Sequence, residues 1–235
     1  MVSGVGILKR AGILLQDEDY VRWTIPELVG WVNDGVKAIV LAKPSASSET
    51  RVLTLEKGTL QRVAQVENAA TALALLSIKR NITSSAPARI GGRSVTVVSH
   101  SVLEASSPDW HDPVRGRFSK DVRHYTYDEN VPLEFYVYPG NTGEGMVEAA
   151  VSTVPADLAA SGAPDSIDSY AAPIGLPEPY SGPVLDYVLH RAFSKDALEG
   201  APGRAQMHYA AFASAIGLKI QVERASSPNA ARGGA

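Results

Sequence analysis

The sequence contains no cysteine. That excludes disulfide staples, thiolate nucleophiles and cysteine-containing zinc sites, leaving five histidines as the preferred transition-metal ligands. An excess of charge is also missing: 22 Lys and Arg stand against 25 Asp and Glu, a formal net charge of −3. Sequence-independent grip on phosphate depends on Lys and Arg displacing counterions, so bulk electrostatic binding of nucleic acid is excluded. No run of about 18 apolar residues occurs, and no membrane span is expected. Lys9 and Arg10 follow the first apolar residues instead of preceding them, the wrong order for a secretory signal, so a protein kept in a cytoplasm is expected. What remains is 235 residues of ordinary globular composition, 45% hydrophobic and 20% charged, with room for one large domain or two small ones.

Two helices are expected over residues 4–16 and 24–43, separated by the acidic break Asp17, Glu18, Asp19. The second carries a start signal: Thr24 as cap, Glu27 three residues on to complete a capping box, and Pro26 in the first turn, where no intrahelical donor is lost. Leu28, Val32, Val36, Ile39 and Val40 recur at helical spacing, and Lys43-Pro44 closes the element. From about residue 50 the period changes to two. Strands are expected at 52–55, 94–98, 101–105, 122–127, 133–138 and 147–154, with a hairpin loop at Asp128-Glu129-Asn130 and a turn at Gly91-Gly92-Arg93. Residues 61–82 read ambiguously; the preferred reading is a short helical turn followed by a strand near Leu75 to Asn81.

Residues 155–183 hold six prolines among many Ala and Ser and are expected to form a long irregular crossing. Helices then follow from Val184 to Leu198 and from Arg204 to about Val222, with Phe212, Ile216 and Ile220 on one face of the last. Residues 225–235 are small and polar and should be disordered alone. The expected fold class is therefore α+β: a helical bundle from N- and C-terminal helix pairs with an inserted antiparallel β region. In boundaries, this is a bundle domain at 1–48 and 180–224, a β-rich domain at 49–155, a Pro-rich connection at 156–179 and a tail at 225–235.

Chemistry is thinly represented. His100, His111, His124, His190 and His208 form no helical His-x-x-x-His pair, and Asp109-Trp110-His111-Asp112 sets carboxylates beside a histidine only in a Pro-flanked loop. The plain reading of that loop is a Trp110 that plugs a crevice. Ser194-Lys195 has no recognisable oxyanion partner, and His190-Arg191 reads as a polar face. Tyr125, Tyr127, Phe135, Tyr136 and Tyr138 cluster on adjacent strands; they read as cross-strand packing ahead of a stacking platform for single-stranded nucleic acid. Arg115, Arg117, Lys120 and Arg123 lie near them, interleaved with Asp109, Asp112, Asp121, Asp128 and Glu129. Trp31 and Leu41 fall opposite the Leu28-Val32-Val36 face and are candidates for a second buried surface.

Leu14-Leu15-Gln16-Asp17, Val21-Arg22-Trp23-Thr24, Glu27-Leu28 and Trp31-Val32-Asn33-Asp34-Gly35 together resemble the N-terminal hairpin of head-to-tail adaptor proteins of tailed bacteriophages. Further segments agree in order: Pro108 to His111, Val122 to Tyr125, Phe135 to Pro139, Leu185 to Asp196 and Ala205 to Gly217. The resemblance implies a structural virion protein without enzymatic activity or cofactor. It implies a ring, usually dodecameric, that joins the portal protein to the nozzle or tail-tube protein at the capsid-tail junction, after assembly in the host cytoplasm. DNA would pass through the channel without specific binding. The last residues would dock into the portal, which nominates Arg224, Ser226, Ser227, Pro228, Asn229 and Arg232. Trp31, Leu41, Tyr187 and Tyr209 are nominated for contacts between subunits, where a heterologous interface closes a ring when its rotation fits. The alternative is a nucleic-acid-binding module using the Tyr-rich strands and nearby Arg residues; an enzyme built on His111 ranks last.

Overall fold

The computed structural model describes residues 2–64, 66–67, 70–195 and 202–226. It contains five helices and ten strands in a mixed α+β arrangement among the described residues. The chain divides into two units, Met1–Ala46 with Pro155–Ala235, and Ser47–Val154.

The first unit is helical. Helix α1 (Gly4–Leu15) is capped by the Ser3 hydroxyl, which accepts from the Gly6 N–H, and ends at Gln16 in the left-handed conformation. Helix α2 (Ile25–Ala42) begins at Thr24 with Pro26 in its first turn. The expected capping box does not form. The Thr24 side chain makes no cap bond, and Glu27 is drawn instead to Lys195, whose Nζ lies 2.8 Å from both carboxylate oxygens. Asp17 organises the approach to the helix, accepting from the N–H groups of Val21, Arg22 and Trp23 at 2.9–3.0 Å. Burial acts to raise the Asp17 pKa, but those three donors outweigh it and hold the carboxyl below its ordinary range.

Helix α4 (Ser181–Lys195) packs against α1, α2 and α5 (Pro202–Ser226). It buries Val184, Leu185, Val188, Leu189, Ala192 and Phe193. At Gly35 a Cβ would stand 3.1 Å from Tyr187 Cδ1, so the absence of a side chain lets α2 approach α4 closely. Expected helix residues 196–198 lie outside the described residues, as do 200–201 of the break expected at Gly200-Ala201-Pro202-Gly203, whereas Pro202 and Gly203 already belong to α5.

The Pro-rich crossing is irregular but pinned, with 3-10 turns at Ile167–Tyr170 and Glu178–Tyr180. Asn33 on α2 donates to the Leu158 carbonyl and accepts from the Leu158 N–H, at 3.1 and 2.8 Å. Gly4 N donates to Ala172 O and Ile174 N to Val2 O. Lys43 is buried, and its Nζ donates to the Tyr180 hydroxyl at 2.9 Å.

The second unit is built from two five-stranded sheets. One runs β1 (Ser48–Thr54), β10 (Met146–Val154), β4 (Ala70–Ser84), β3 (Val66–Glu67), with β5 (Ile90–Ser94) paired to β4. The other runs β2 (Gly58–Arg62), β9 (Glu134–Asn141), β8 (His124–Tyr127), β6 (Thr96–Val97), with β7 (Phe118–Ser119) paired to β9. Leu53, Leu75, Ile78, Val147, Ala149 and Val151 of the first sheet share one core with Tyr125, Phe135 and Val137 of the second. Two buried asparagines lock the loops around this core. Asn81 bonds both the N–H and the carbonyl of Val122, and Asn141 bonds the carbonyls of Ser119 and Lys120 and the N–H groups of Gly143 and Gly145. Both asparagine side chains thus supply donors and acceptors to backbone groups of those loops, the condition under which buried polar side chains stabilise.

Several expectations need correction here. The β region is not purely antiparallel, because β6 pairs with β8 and β7 with β9 in parallel. Residues 101–105 are not a strand: helix α3 (His100–Ser106) forms there, with the i,i+4 pair His100–Glu104 at 3.2 Å and only Leu103 buried. Gly91-Gly92-Arg93 is not a turn but part of β5. The Arg80 side chain occupies the space where a Gly91 Cβ would stand, with its Cζ 2.8 Å from that position. In place of a helical turn before Leu75, β3 and the start of β4 pair as a hairpin, Val66 with Thr71 and Glu67 with Ala70. Strand β4 is bulged at three places against β10, so its buried residues Ala72, Leu75 and Ile78 recur every third position.

Candidate interaction surfaces

Three places in the structure gather side chains able to meet a partner, and each grows from the elements just described. The first is the seam between α4 and α5. His190 Nδ1 lies 3.0 Å from the Ala205 carbonyl, and His208 Nδ1 lies 2.9 Å from Asp186 Oδ1. Tyr187 meets Phe212 edge-on at 5.2 Å between centroids, His190 meets Tyr209 at 5.0 Å, and Phe193 stacks on His208 at 5.7 Å. His190 is thus a tether between helices, not the solvated polar face expected of it. Ser194 donates back to the His190 carbonyl and Lys195 pairs with Glu27, so no Ser-Lys catalytic pair is assembled.

The second lies on the outer face of β8 and β9. Strand alternation sends Tyr125 and Phe135 into the core, at 5% and 1% exposure, and Tyr136 and Tyr138 to the opposite side. Trp110, only 1% exposed, covers that side with centroids 6.0 Å from Tyr136 and 6.4 Å from Tyr138. The five aromatics therefore do not form an open stacking platform: Tyr125 and Phe135 are core, Tyr136 and Tyr138 lie under Trp110, and Tyr127, 39% exposed, stacks on Tyr125. His111 packs against the Trp110 ring, and its Nδ1 lies 2.8 Å from the Thr59 hydroxyl. Burial, with repulsion from His100, holds the His111 pKa below its ordinary value. The neighbouring carboxylates are turned to other work: Asp112 accepts from the N–H groups of Val114 and Arg115, and Asp109 lies 4.0 Å from Arg115. An acid-base pair on His111 is not built. Among the described residues no group of three or more His, Cys, Asp or Glu is placed to hold a metal ion, and no helix is long and apolar enough to cross a membrane.

The third is a pair of clefts at the two ends of β8. One, of about 260 Å³, is lined by Arg117, Phe118, Ser119, Arg123, Tyr138 and Pro139. The other, of about 600 Å³, is lined by Thr126, Tyr127, Asp128, Glu129, Asn130 and Tyr136 together with His100. The charges that line the two clefts differ in sign: Arg117 and Arg123 line the smaller one, Asp128 and Glu129 the larger one.

The residues nominated for subunit contacts are placed in different environments. Trp31 is 9% exposed and belongs to the core of its own unit, whereas Leu41 is 80% exposed. Tyr187 is half-buried against Gly35 and Phe212, and Tyr209 is 46% exposed on α5. Val21, at 82%, is a further exposed apolar residue that helical periodicity did not single out, since it precedes α2. Of the nominated portal-binding residues, the backbone of Arg224 and Ser226 continues α5, so the helix runs beyond the expected end at Val222. Ser227, Pro228, Asn229 and Arg232 lie outside the described residues.

A family model described as SU10 adaptor protein matches residues 5–232. No curated protein matches the sequence. The match extends over nearly the whole chain, both helical segments and the β region included, so the chain belongs to the SU10 adaptor protein family, in agreement with its resemblance to phage head-to-tail adaptors.

Proposed function

We propose that this member of the SU10 adaptor protein family is a structural component of a phage virion, forming a dodecameric ring that joins the portal protein to the nozzle or tail-tube protein and surrounds the DNA channel. Family membership over residues 5–232 is the observation that carries this reading. In it, the unit Met1–Ala46 with Pro155–Ala235 acts as a helical bundle and Ser47–Val154 as the β domain inserted into it. Assembly proceeds by surface complementarity, without bond chemistry, which suits a chain whose histidines serve as tethers and packing groups. The mild net negative charge favours passage of DNA over retention provided that acidic residues face the lumen, which then offers few cations to displace the counterions of DNA.

The last residues, including Ser227, Pro228, Asn229 and Arg232, extend from α5 into the portal in this reading and order on docking, with Arg224 and Ser226 at the root. A segment that orders on binding covers a large partner surface at reduced affinity per unit area. A chain ending at Val222 should lose portal docking while keeping its fold; docking unchanged by the deletion would remove the tail from the account. Mixing purified protein with purified portal and imaging the product by electron microscopy tests the reading as a whole. A ring of this protein seated on the portal is expected, and separate particles would count against it.

A further inference from the structure

Strand β8 carries opposite charges at its two ends. Arg123 precedes its first residue and lines the smaller cleft with Arg117; Asp128 and Glu129 follow its last residue and line the larger one. All four side chains are exposed, and none has an ion-pair partner among the described residues. Elsewhere in the same unit oppositely charged neighbours do pair, Arg62 with Glu134 at 2.8 Å and Arg80 with Glu148 at 2.9 Å.

Both charged ends are held in place by the sheet. The Arg123 N–H donates to the Tyr138 carbonyl, and the Arg117 carbonyl accepts from Gly140 N, so both guanidinium groups grow from backbone locked to β9. At the other end Asp128 Oδ1 accepts from both the backbone N–H and the side-chain amide of Asn130, at 2.9 and 2.8 Å. Those bonds hold the Asp128 carboxyl below its ordinary pKa, so it stays ionised. At about 3.3 Å per residue the two ends are roughly 17 Å apart along the strand. That is about twice the Debye length of about 8 Å at physiological salt, so neither end neutralises the other.

We propose that the two clefts are the complementary halves of a contact between copies of this chain, with Arg117 and Arg123 of one copy meeting Asp128 and Glu129 of the next. The proposal rests on the ring reading above and says which surfaces close the ring. A positive and a negative patch at opposite ends of one strand let each copy use one patch on each neighbour, which is a heterologous, ring-forming contact. Fixed, exposed and unpaired charges of this kind set register and partner choice more than bulk affinity.

Two variants test it. Arg117→Glu with Arg123→Glu makes both ends acidic, and Asp128→Arg with Glu129→Arg makes both ends basic. Circular dichroism and urea midpoints confirm that each folds as the parent does, as expected for exposed positions. Ring formation on purified portal is then read by native mass measurement. Each variant alone should lose the ring or weaken it about tenfold or more, and an equimolar mixture should restore it, with the two variants alternating. A ring formed by either variant alone as well as by the parent overturns the proposal while leaving the adaptor ring intact. So does a mixture that fails to recover. A reversed-Arg variant that keeps its ring but loses retention of linear duplex DNA assigns the basic cleft to a polyanion and overturns the proposal. A parent protein that never forms a ring overturns this proposal and the ring reading together.

Discussion

Lys195 at the end of α4 reaches both carboxylate oxygens of Glu27 in the first turn of α2, at 2.8 Å each. Each charge lies at the helix end whose dipole favours it, an anion at an N-terminus and a cation at a C-terminus. The pair is partly exposed, with 51% of the Lys195 and 29% of the Glu27 side chain accessible, which limits its worth. Glu27→Gln or Lys195→Met should lower stability by about 0.5–1 kcal/mol, read as a shift in the urea midpoint with unchanged slope. The double variant should cost little more than either single one, and additive losses would show that the two residues act independently.

The close approach of α2 to α4 at Gly35 predicts a larger effect. A branched side chain there would press on Tyr187, whose Cδ1 and Cβ stand 3.1 and 3.3 Å from the position of a Cβ. Gly35→Val should destabilise by about 1–3 kcal/mol through overpacking. Reducing Tyr187 to Ala in the same chain should return part of that loss. If Gly35→Val is as stable as the parent, the helices are not held at the separation described.

His111 and His124 make stability pH-dependent in a definite direction. Burial depresses both pKa values below the ordinary 6.5, helped by His100 at His111 and by Arg123 and Arg93 at His124. In the window between the depressed folded values and 6.5 the unfolded chain binds protons that the folded chain does not, so stability falls as pH falls through it. Above 6.5 both states are neutral and the effect vanishes. Urea midpoints at pH 7.5 and 5.5 should therefore differ, and replacing both histidines by Gln should shrink the difference. An identical difference in the double variant would move the effect to other groups.

Trp31 and Leu41, nominated together from one helical pattern, should behave oppositely. Trp31→Ala should cost the isolated subunit about 3–5 kcal/mol, because the side chain is 9% exposed and lies in the core. Leu41→Glu should change subunit stability by less than about 0.5 kcal/mol, since the residue is 80% exposed. If Leu41 faces a neighbour in the assembled ring, Leu41→Glu should reduce portal-bound rings at constant subunit stability; rings unaffected by the change would remove Leu41 from the interface.

Where the sequence period was regular, the elements were legible. Leu28, Val32, Val36 and Ile39 recur at helical spacing and all are buried in α2, and Phe135 and Val137 alternate inward along β9 as a period of two requires. Strand β4 shows why other stretches misled. Its three bulges insert an extra residue at each shift in register, so the inward positions Ala72, Leu75 and Ile78 fall three apart, a spacing close to a helical one in an Ala- and Leu-rich stretch. The capping box failed for a different reason, because Glu27 has a cation from α4 within reach that lies 168 residues away in sequence. The charged clefts were hidden by the same kind of blindness. Arg123 and Asp128 are five residues apart and look like one mixed patch on paper, but an extended strand separates them into opposite signs at opposite ends. Family likeness supplied the functional reading that no side-chain constellation in the sequence supplied, since an adaptor protein is recognised by its surfaces and not by a catalytic signature.

Assembly on the portal is measured most directly by the mass of the portal complex. Native mass measurement of purified portal, with and without this protein in excess, counts the copies bound. One closed ring of twelve copies seated together on each portal is expected. A protein that stays monomeric and leaves the portal mass unchanged would contradict it.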